Sequence, residues 1–285
     1  MRAATGDGLT GPRPTLRCPC AGRYLAPGFT YNAPPEGETR FDLGEVPYIR
    51  AYDRCTECEH WFARHTIDID SLYLRNYVDA TYGGPDGMRA RLERILALLP
   101  ERSDNAGRMN RIISFAEARF DGRKVARRLL DVGAGIGVFA ATMKAARWAV
   151  VAIEPDPRTA RHLREWVGVE AYACPIAALD PAEVGRFDIV AFNKVLEHVE
   201  DPIALLTAAH RLLEPSGFVY LEVPDAETAS AEGPGREEFF IEHHHVFSAA
   251  SVTLTGERAG YMPYVVEQIR EPSTKFTLFA VLIPK

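Results

Sequence analysis

From about residue 88 onward, stretches of helical spacing alternate with short apolar runs, the rhythm of an α/β sheet. The spacing predicts a helix over 88–99 that ends at Pro100. A second, over about 106–119, carries Ile112, Ile113, Phe115 and Ala116 and stops at Asp121-Gly122. Leu129 to Val132 reads as a strand, followed by a glycine-rich loop and a helix over about 137–146. Trp148 to Ile153 is the second strand, closed by Glu154-Pro155-Asp156, with a helix from Pro157 to about Val167 and a short strand near Val169–Ala173. Phe187 to Phe192 is the fourth. Pro202, at a first helical turn, opens a helix to Leu213. Pro215-Ser216-Gly217 then turns the chain into Phe218 to Val223. Tyr264–Arg270 and Phe276–Ile283 read as an antiparallel pair about a turn at Glu271-Pro272-Ser273, making seven strands. The first 85 residues keep no such rhythm. They are rich in Pro, Gly, Cys and aromatics, and Gly-Pro-Arg-Pro near residue 12 and Ala-Pro-Pro-Glu-Gly near residue 35 read as loops. The expected organisation is a small cysteine-containing domain, 1–85, and an α/β domain, 86–285.

Composition narrows the classes. With 285 residues, 47% hydrophobic and 25% charged, the chain can bury the core of one large and one small domain. A net charge of −6 argues against nucleic acid as the main partner, because phosphate binding needs a basic face. One local exception is Arg119, Arg123, Lys124, Arg127 and Arg128. It reads as a solvated helix end and loop, or alternatively as a contact to a phosphate on a charged small molecule. No apolar run approaches the roughly 20 residues of a membrane span, and the N-terminus shows no apolar signal region, so a cytoplasmic protein is expected.

The loop Gly133-x-Gly135-x-Gly137 lies between a strand and a helix, where ligands of open α/β sheets sit. Glycines there admit close backbone approach and positive φ. Val138 breaks the dinucleotide spacing G-x-G-x-x-G, which counts against a nicotinamide-dependent oxidoreductase. Glu154 ends the next strand, where a carboxylate can accept both hydroxyls of a ribose. The alternative is a turn cluster with a helix-capping acid.

These segments resemble a family. Leu129-Leu130-Asp131-Val132-Gly133-Ala134-Gly135-Ile136-Gly137 resembles the first motif of class I S-adenosylmethionine-dependent methyltransferases. Ala152-Ile153-Glu154-Pro155-Asp156 resembles their second motif, and Phe187 through Pro202 their fourth-strand motif. Leu213-Glu214-Pro215-Ser216-Gly217-Phe218 resembles the turn before strand five. The likeness runs in order from about 125 to 285. It implies a seven-stranded Rossmann-like methyltransferase domain that binds S-adenosyl-L-methionine. Asp131, Gly133, Gly135 and Gly137 would form the cofactor loop, the first two glycines against the methionine part. Glu154 would bind the ribose and Asn193 would close the pocket from strand four. The adenine contact stays open, because Cys174-Pro175-Ile176 stands where an acid often follows strand three.

Cys18, Cys20, Cys55 and Cys58 cluster early, and four thiolates close a tetrahedral structural Zn2+ site. Loop-rich segments with few apolar runs need such a staple. Cys18-Pro-Cys20 is one residue tighter than C-x-x-C, so His60 and His65 stand as spare ligands, and free buried cysteines are the alternative. Cys174 reads as a core or pocket residue.

A zinc ribbon, then Leu72-Tyr73-x-x-x-Tyr77, then a methyltransferase domain is similar to bacterial enzymes acting on deoxysugars and related metabolites. In the sugar C-methyltransferases a Glu-His pair precedes Phe-Ser, and Glu242-His243-His244-His245-Val246-Phe247-Ser248 matches that pattern. The resemblance implies a small-molecule acceptor, a sugar or nucleotide-linked sugar in carbohydrate biosynthesis, with O- and C-methylation both open. Such an acceptor must lose a proton, and histidine is suited to take it. His243 is the expected base, with Glu242 orienting it or acting alongside; the alternative is a polar loop before a helix opened by Ser248. His198 either lines the pocket or caps the turn before Asp201-Pro202. Tyr77 and Tyr82 either reach the pocket or anchor the small domain. A non-catalytic zinc-ribbon binding module with a vestigial cofactor fold is the remaining alternative.

Overall fold

The computed structural model describes residues 18–22, 24–65, 67, 82–120 and 127–285. Strands β1 (Leu25–Tyr31), β2 (Arg50–Cys55) and β3 (Trp61–His65) come first, then helices α1 (Gly84–Leu96) and α2 (Asp104–Phe120). The alternation follows: β4 (Arg128–Val132), α3 (Val138–Ala145), β5 (Ala149–Ile153), α4 (Pro157–His162), β6 (Glu170–Tyr172), α5 (Pro181–Val184) and β7 (Phe187–Asn193). Then come α6 (Pro202–Ala209), β8 (Leu213–Pro224), α7 (Ala226–Glu232), β9 (His245–Val246), α8 (Ala249–Arg258), β10 (Tyr261–Arg270) and β11 (Phe276–Pro284).

Seven strands form one sheet in the order β10-β11-β8-β7-β4-β5-β6, and β11 alone runs against its neighbours. The expected α/β, Rossmann-like architecture is thus present. The apolar runs are long because both faces are covered. Leu130, Val132, Phe187, Val190 and Leu221 pack with Leu206 of α6 and Val252 of α8. Leu129, Ile189 and Tyr220 face the other way, against Met88 of α1, Ile112 of α2 and Phe139 of α3.

Several boundaries differ from the expected ones. The helix after Pro157 is α-helical only to His162, then widens into a π turn, Leu163–Val167, closed by left-handed Gly168. Pro215-Ser216-Gly217 lies within β8, where the pairing with β7 shifts register between Phe187 and Ile189. It is an irregularity in a long strand, because Leu213 already pairs with Phe187. The helix expected from 88 begins at Gly84, since Pro85 suits a first turn. Asp121-Gly122 lies outside the described residues.

The second sheet has the antiparallel order β1-β2-β3-β9, so residues 245–246 supply its last strand. Its apolar core is shared: Tyr31, Tyr52 and Trp61 pack with Ala226, Phe239, Val246 and Phe276. Arg50, buried, joins the carboxylate of Glu38 at 2.7 Å and the carbonyl of Phe239 at 2.7 Å. Glu38 in turn accepts from the Ile241 amide at 2.8 Å.

Candidate active site

The chain leaves β4 for β5 and β6 on one side, then returns to place β7 on the other. That reversal opens a crevice beyond the carboxyl ends of β4 and β7. A cavity of about 510 Å³ occupies it. Asp131, Gly133, Gly135, Glu154, Asn193, Glu242 and His243 all line this space.

The loop after β4 is held by the amides of Gly133 and Ala134, which donate to the Ile153 carbonyl at 2.9 and 3.2 Å. Gly133 and Gly135 have φ of +66° and +53°, which favour glycine. A Cβ on Gly133 would stand 2.8 Å from Val195, whereas one on Gly135 would face open space toward the Tyr82 hydroxyl, 3.9 Å away. Gly137 does not line the cavity. It has φ +82°, and a Cβ there would meet Leu163 at 2.6 Å, so it serves helix packing.

Four buried polar atoms with no hydrogen-bond partner belong to residues on this cavity: Oδ2 of Asp131, Oδ1 of Asn193, Nε of Arg108 and Oε2 of Glu197. Asn193 donates from Nδ2 to Asp131 at 3.3 Å, which leaves both remaining oxygens as acceptors. Burial pushes the Asp131 carboxyl up to about 7, against the opposing charge of Arg108. Glu154 is also pushed up to about 7, by burial first and then by the charges of Asp131 and Asp156. Unmet acceptors beside an open glycine loop fit a ligand with an ammonium group and hydroxyls. Arg108 is a residue the sequence did not reveal. It reaches the cavity from α2, its guanidinium anchored on Glu222.

The other end of the cavity is polar. Lys194, Glu197 and His198 enter from the turn after β7, and Glu237, Glu238, Glu242, His243 and Lys275 from the segment around β9 and β11. His243 Nδ1 stands 2.8 Å from the Glu238 carbonyl and His198 Nδ1 2.9 Å from the Glu242 carbonyl. A proton on each Nδ1 makes those bonds and leaves the lone pair on Nε2. The Glu238 carbonyl, rather than the Glu242 carboxylate, therefore orients His243, because the loop turns its backbone toward the ring. The two rings meet edge to face at 4.9 Å. Burial, then the charge of His198, hold His243 well below the usual imidazole range, so it is neutral at pH 7. Ser248 opens α8 through a reciprocal cap with Ser251, and Asp201 itself caps α6, which leaves His198 to the cavity.

Tyr82 lines the cavity and also packs on the core. Leu72, Tyr73 and Tyr77 lie outside the described residues. Cys174 packs on the core, and none of Cys174, Pro175 and Ile176 lines the cavity. In the basic stretch, Arg119 donates to Ser216, Arg128 to Val184 and Arg186, and Arg127 lies over Phe120 and Trp148. These are backbone and ring contacts; Arg123 and Lys124 lie outside the described residues.

Cys18, Cys20, Cys55 and Cys58 converge. Their sulfurs lie 3.2 Å (18 to 20), 3.4 Å (18 to 58) and 3.7 Å (20 to 55) apart. Ligands about 2.3 Å from a tetrahedral ion stand about 3.8 Å from one another, so the set fits Zn2+ with little adjustment. His60 is engaged elsewhere, with Nδ1 on Ser251 at 3.0 Å and Nε2 on His245 at 2.9 Å. His65 stacks on His244 at 6.3 Å. The quartet is therefore complete without a spare histidine. Among the described residues, no helix is long and apolar enough to cross a membrane.

Comparison with known proteins bears on the larger sheet. Residues 88–266 match a family model described as a methyltransferase domain. The ubiquinone biosynthesis O-methyltransferase of Bordetella avium (strain 197N) is 37% identical over 99 residues, 33% of this chain and 41% of that protein. The enzyme of that name from Azotobacter vinelandii (strain DJ / ATCC BAA-1303) is 36% identical over 103 residues, 34% and 44% of the two chains. The chain thus spans less than half the length of these curated relatives. Among solved structures, the Burkholderia thailandensis 1,6-didemethyltoxoflavin-N1-methyltransferase superposes with TM-score 0.53 at 21% identity, covering 85% of this chain and 99% of that one. The magnesium protoporphyrin IX methyltransferase of Synechocystis PCC 6803 gives 0.55 at 14% identity, covering 76% and 100%. At such identities the likeness is one of fold.

Proposed function

The chain belongs to the methyltransferase-domain family, and from that premise we propose that it transfers the methyl group of S-adenosylmethionine to a polar small molecule. The carrying observation is the cavity's division: unmet acceptors at the glycine loop, and a histidine–carboxylate wall opposite. Glu154 would accept the ribose hydroxyls, and Asp131 and Asn193 the ammonium of the methionine part. The backbone at Gly133 and Gly135 admits the ligand closely. When bound, S-adenosylmethionine supplies its methyl group as an electrophile on a sulfonium. His243, neutral and with its lone pair on Nε2, receives the proton the acceptor must lose. Glu242 lines the same wall.

Four carboxylates, two lysines and two histidines around the acceptor end favour a hydroxylated molecule over a hydrocarbon-rich one. A sugar or nucleotide-linked sugar fits that chemistry, methylated at oxygen or at an enolisable carbon. We propose further that residues 1–85 form a zinc-ribbon-like module, with a structural Zn2+ on Cys18, Cys20, Cys55 and Cys58.

Calorimetry with S-adenosylhomocysteine and with NAD tests the donor; binding of NAD alone would sink the reading. His243→Ala is expected to keep S-adenosylhomocysteine affinity within about twofold and to lower turnover on a sugar acceptor panel by about 10²-fold or more. Wild-type turnover in that variant removes His243 as the base.

A further inference from the structure

We propose that Glu197, His198 and His243 form a second metal site, for an exchangeable divalent ion of the Mn2+, Co2+ or Zn2+ class, at the acceptor end of the cavity. The donor atoms of the three residues lie within 4.8 Å of one another. Ligands about 2.0–2.2 Å from a shared ion stand roughly 3.0–3.4 Å apart, a difference that side-chain rotation closes. Two imidazoles and one carboxylate suit this class of ions, and three protein ligands leave positions open.

Two further observations point to an ion. Glu197 is 1% exposed, and its Oε2 is buried without a hydrogen-bond partner on the cavity wall. A carboxylate oxygen in that position calls for a cation or a donor. Each histidine is also held through Nδ1 by a backbone carbonyl, Glu242 for His198 and Glu238 for His243. That is the outer-shell bond that fixes the tautomer of metal-ligating histidines and turns Nε2 to the ion. Lys194 and Lys275 already set positive charge beside Glu197, although neither donates to it: Lys275 pairs with Glu237 at 3.3 Å, and Lys194 donates to Thr277 at 2.7 Å. Their charge still opposes an ion, which makes this site weaker than the thiolate quartet.

Because all three residues line the cavity, open positions on such an ion would be reached from the acceptor end, and the ligand class is a molecule with two adjacent oxygens, a vicinal diol or an α-hydroxy carbonyl. An ion polarises a hydroxyl bound to it and raises its acidity. With the ion bound, His243 Nε2 would be a ligand rather than the base of the metal-free site described above, and the hydroxyl proton would pass to the Glu242 carboxylate on the same wall. The inference rests on the acceptor end proposed above, and its test is separate from that reading.

Protein with zinc already on the cysteine quartet is titrated with Co2+ and followed by visible absorption. One further equivalent per chain is expected, without the sulfur-to-cobalt charge transfer of a thiolate site. Its affinity should fall at least tenfold in Glu197→Gln and in His243→Asn, both of which should bind S-adenosylhomocysteine as the wild type does. No further equivalent, or one that both variants bind as tightly as the wild type, overturns the proposal. Loss of S-adenosylhomocysteine binding by the wild type would overturn the methyltransferase reading and leave the cobalt titration standing.

Discussion

A carboxyl group that titrates near pH 7 accepts hydrogen bonds poorly below that point, and Glu154 sits at this threshold because it is buried beside Asp131 and Asp156. In the proposed ribose role the hydroxyls would bind the ionised form, so binding would compete with protonation. Affinity for S-adenosylhomocysteine should therefore fall as pH drops from 8 to 6, by up to about tenfold for one group of this pKa. Asp131, also raised to about 7 by burial, adds a slope of the same sign. Glu154→Gln should weaken binding at pH 8 by at least about 1 kcal/mol and leave a shallower slope. Calorimetry at three pH values decides it; an affinity indifferent to pH and to the substitution would remove the ribose role. Glu154, Asn193, Gly133 and Gly135 were legible as cavity residues because each stands at a strand end that its apolar run marks. Arg108 and the burial of Glu197 were not, since one arrives from a helix some twenty residues upstream and the other depends on what closes over it. Gly137 shows the converse: the glycine pattern marks it, while its neighbours Leu163 and Val167 show it to be a packing residue.

Among elements, β8 carries an anomaly within its apolar run. Glu222 lies fully buried at the centre of the sheet, and it is bonded by Arg108 and by Arg111 at 2.8 Å, with the Tyr220 hydroxyl donating at 2.7 Å. The cluster fastens α2 to the sheet. Burial alone would raise this carboxyl, but the guanidinium of Arg108 and its neighbours hold it down at about 2. Its contribution to stability is thus complete above the ordinary carboxylate range and lost as pH falls through that range toward 2. Glu222→Gln leaves Arg108 and Arg111 facing each other with only the more distant Glu271 as counter-charge and should cost about 3 kcal/mol, read as a lower urea midpoint. An unchanged midpoint would show that water or another acid takes over, and Glu271, at 3.4 Å from Arg111, is the nearest candidate. The central strands β4, β5, β7 and β8 were readable because their apolar runs bury both faces of the sheet against helices. Strands β1 to β3 were not, because the apolar side chains they meet include Phe239, Val246 and Phe276, from roughly 170 to 250 residues further along the chain. A two-residue strand such as β9 has no period to detect.

At the scale of the whole molecule, this sharing ties the cysteine quartet to the acceptor wall. Arg258 of α8 donates to the carbonyls of Cys18 and Pro19 at 3.0 and 3.1 Å, and Ser248 to that of Cys58. Tyr52 of β2 donates to the His243 carbonyl at 2.7 Å and to that of Phe240 at 3.0 Å. The glycine loop, by contrast, is held by β5 and by the helices of the larger sheet. Loss of the quartet should therefore loosen the loop that carries His243 while sparing the donor end. In Cys55→Ser, with the metal content of the purified protein measured alongside, about one equivalent of zinc should disappear. Turnover should fall by about tenfold or more, because a catalytic group displaced by even about 1 Å loses that much or more. Affinity for S-adenosylhomocysteine should stay within about twofold, and the urea midpoint should drop, since a structural zinc contributes folding free energy directly. Parallel loss of cofactor affinity would mean that the two ends of the cavity are not mechanically separate. Full turnover with no zinc bound would mean that the shared core alone, Tyr52 with Phe239 and the Glu38–Arg50 pair, suffices to hold His243 in place.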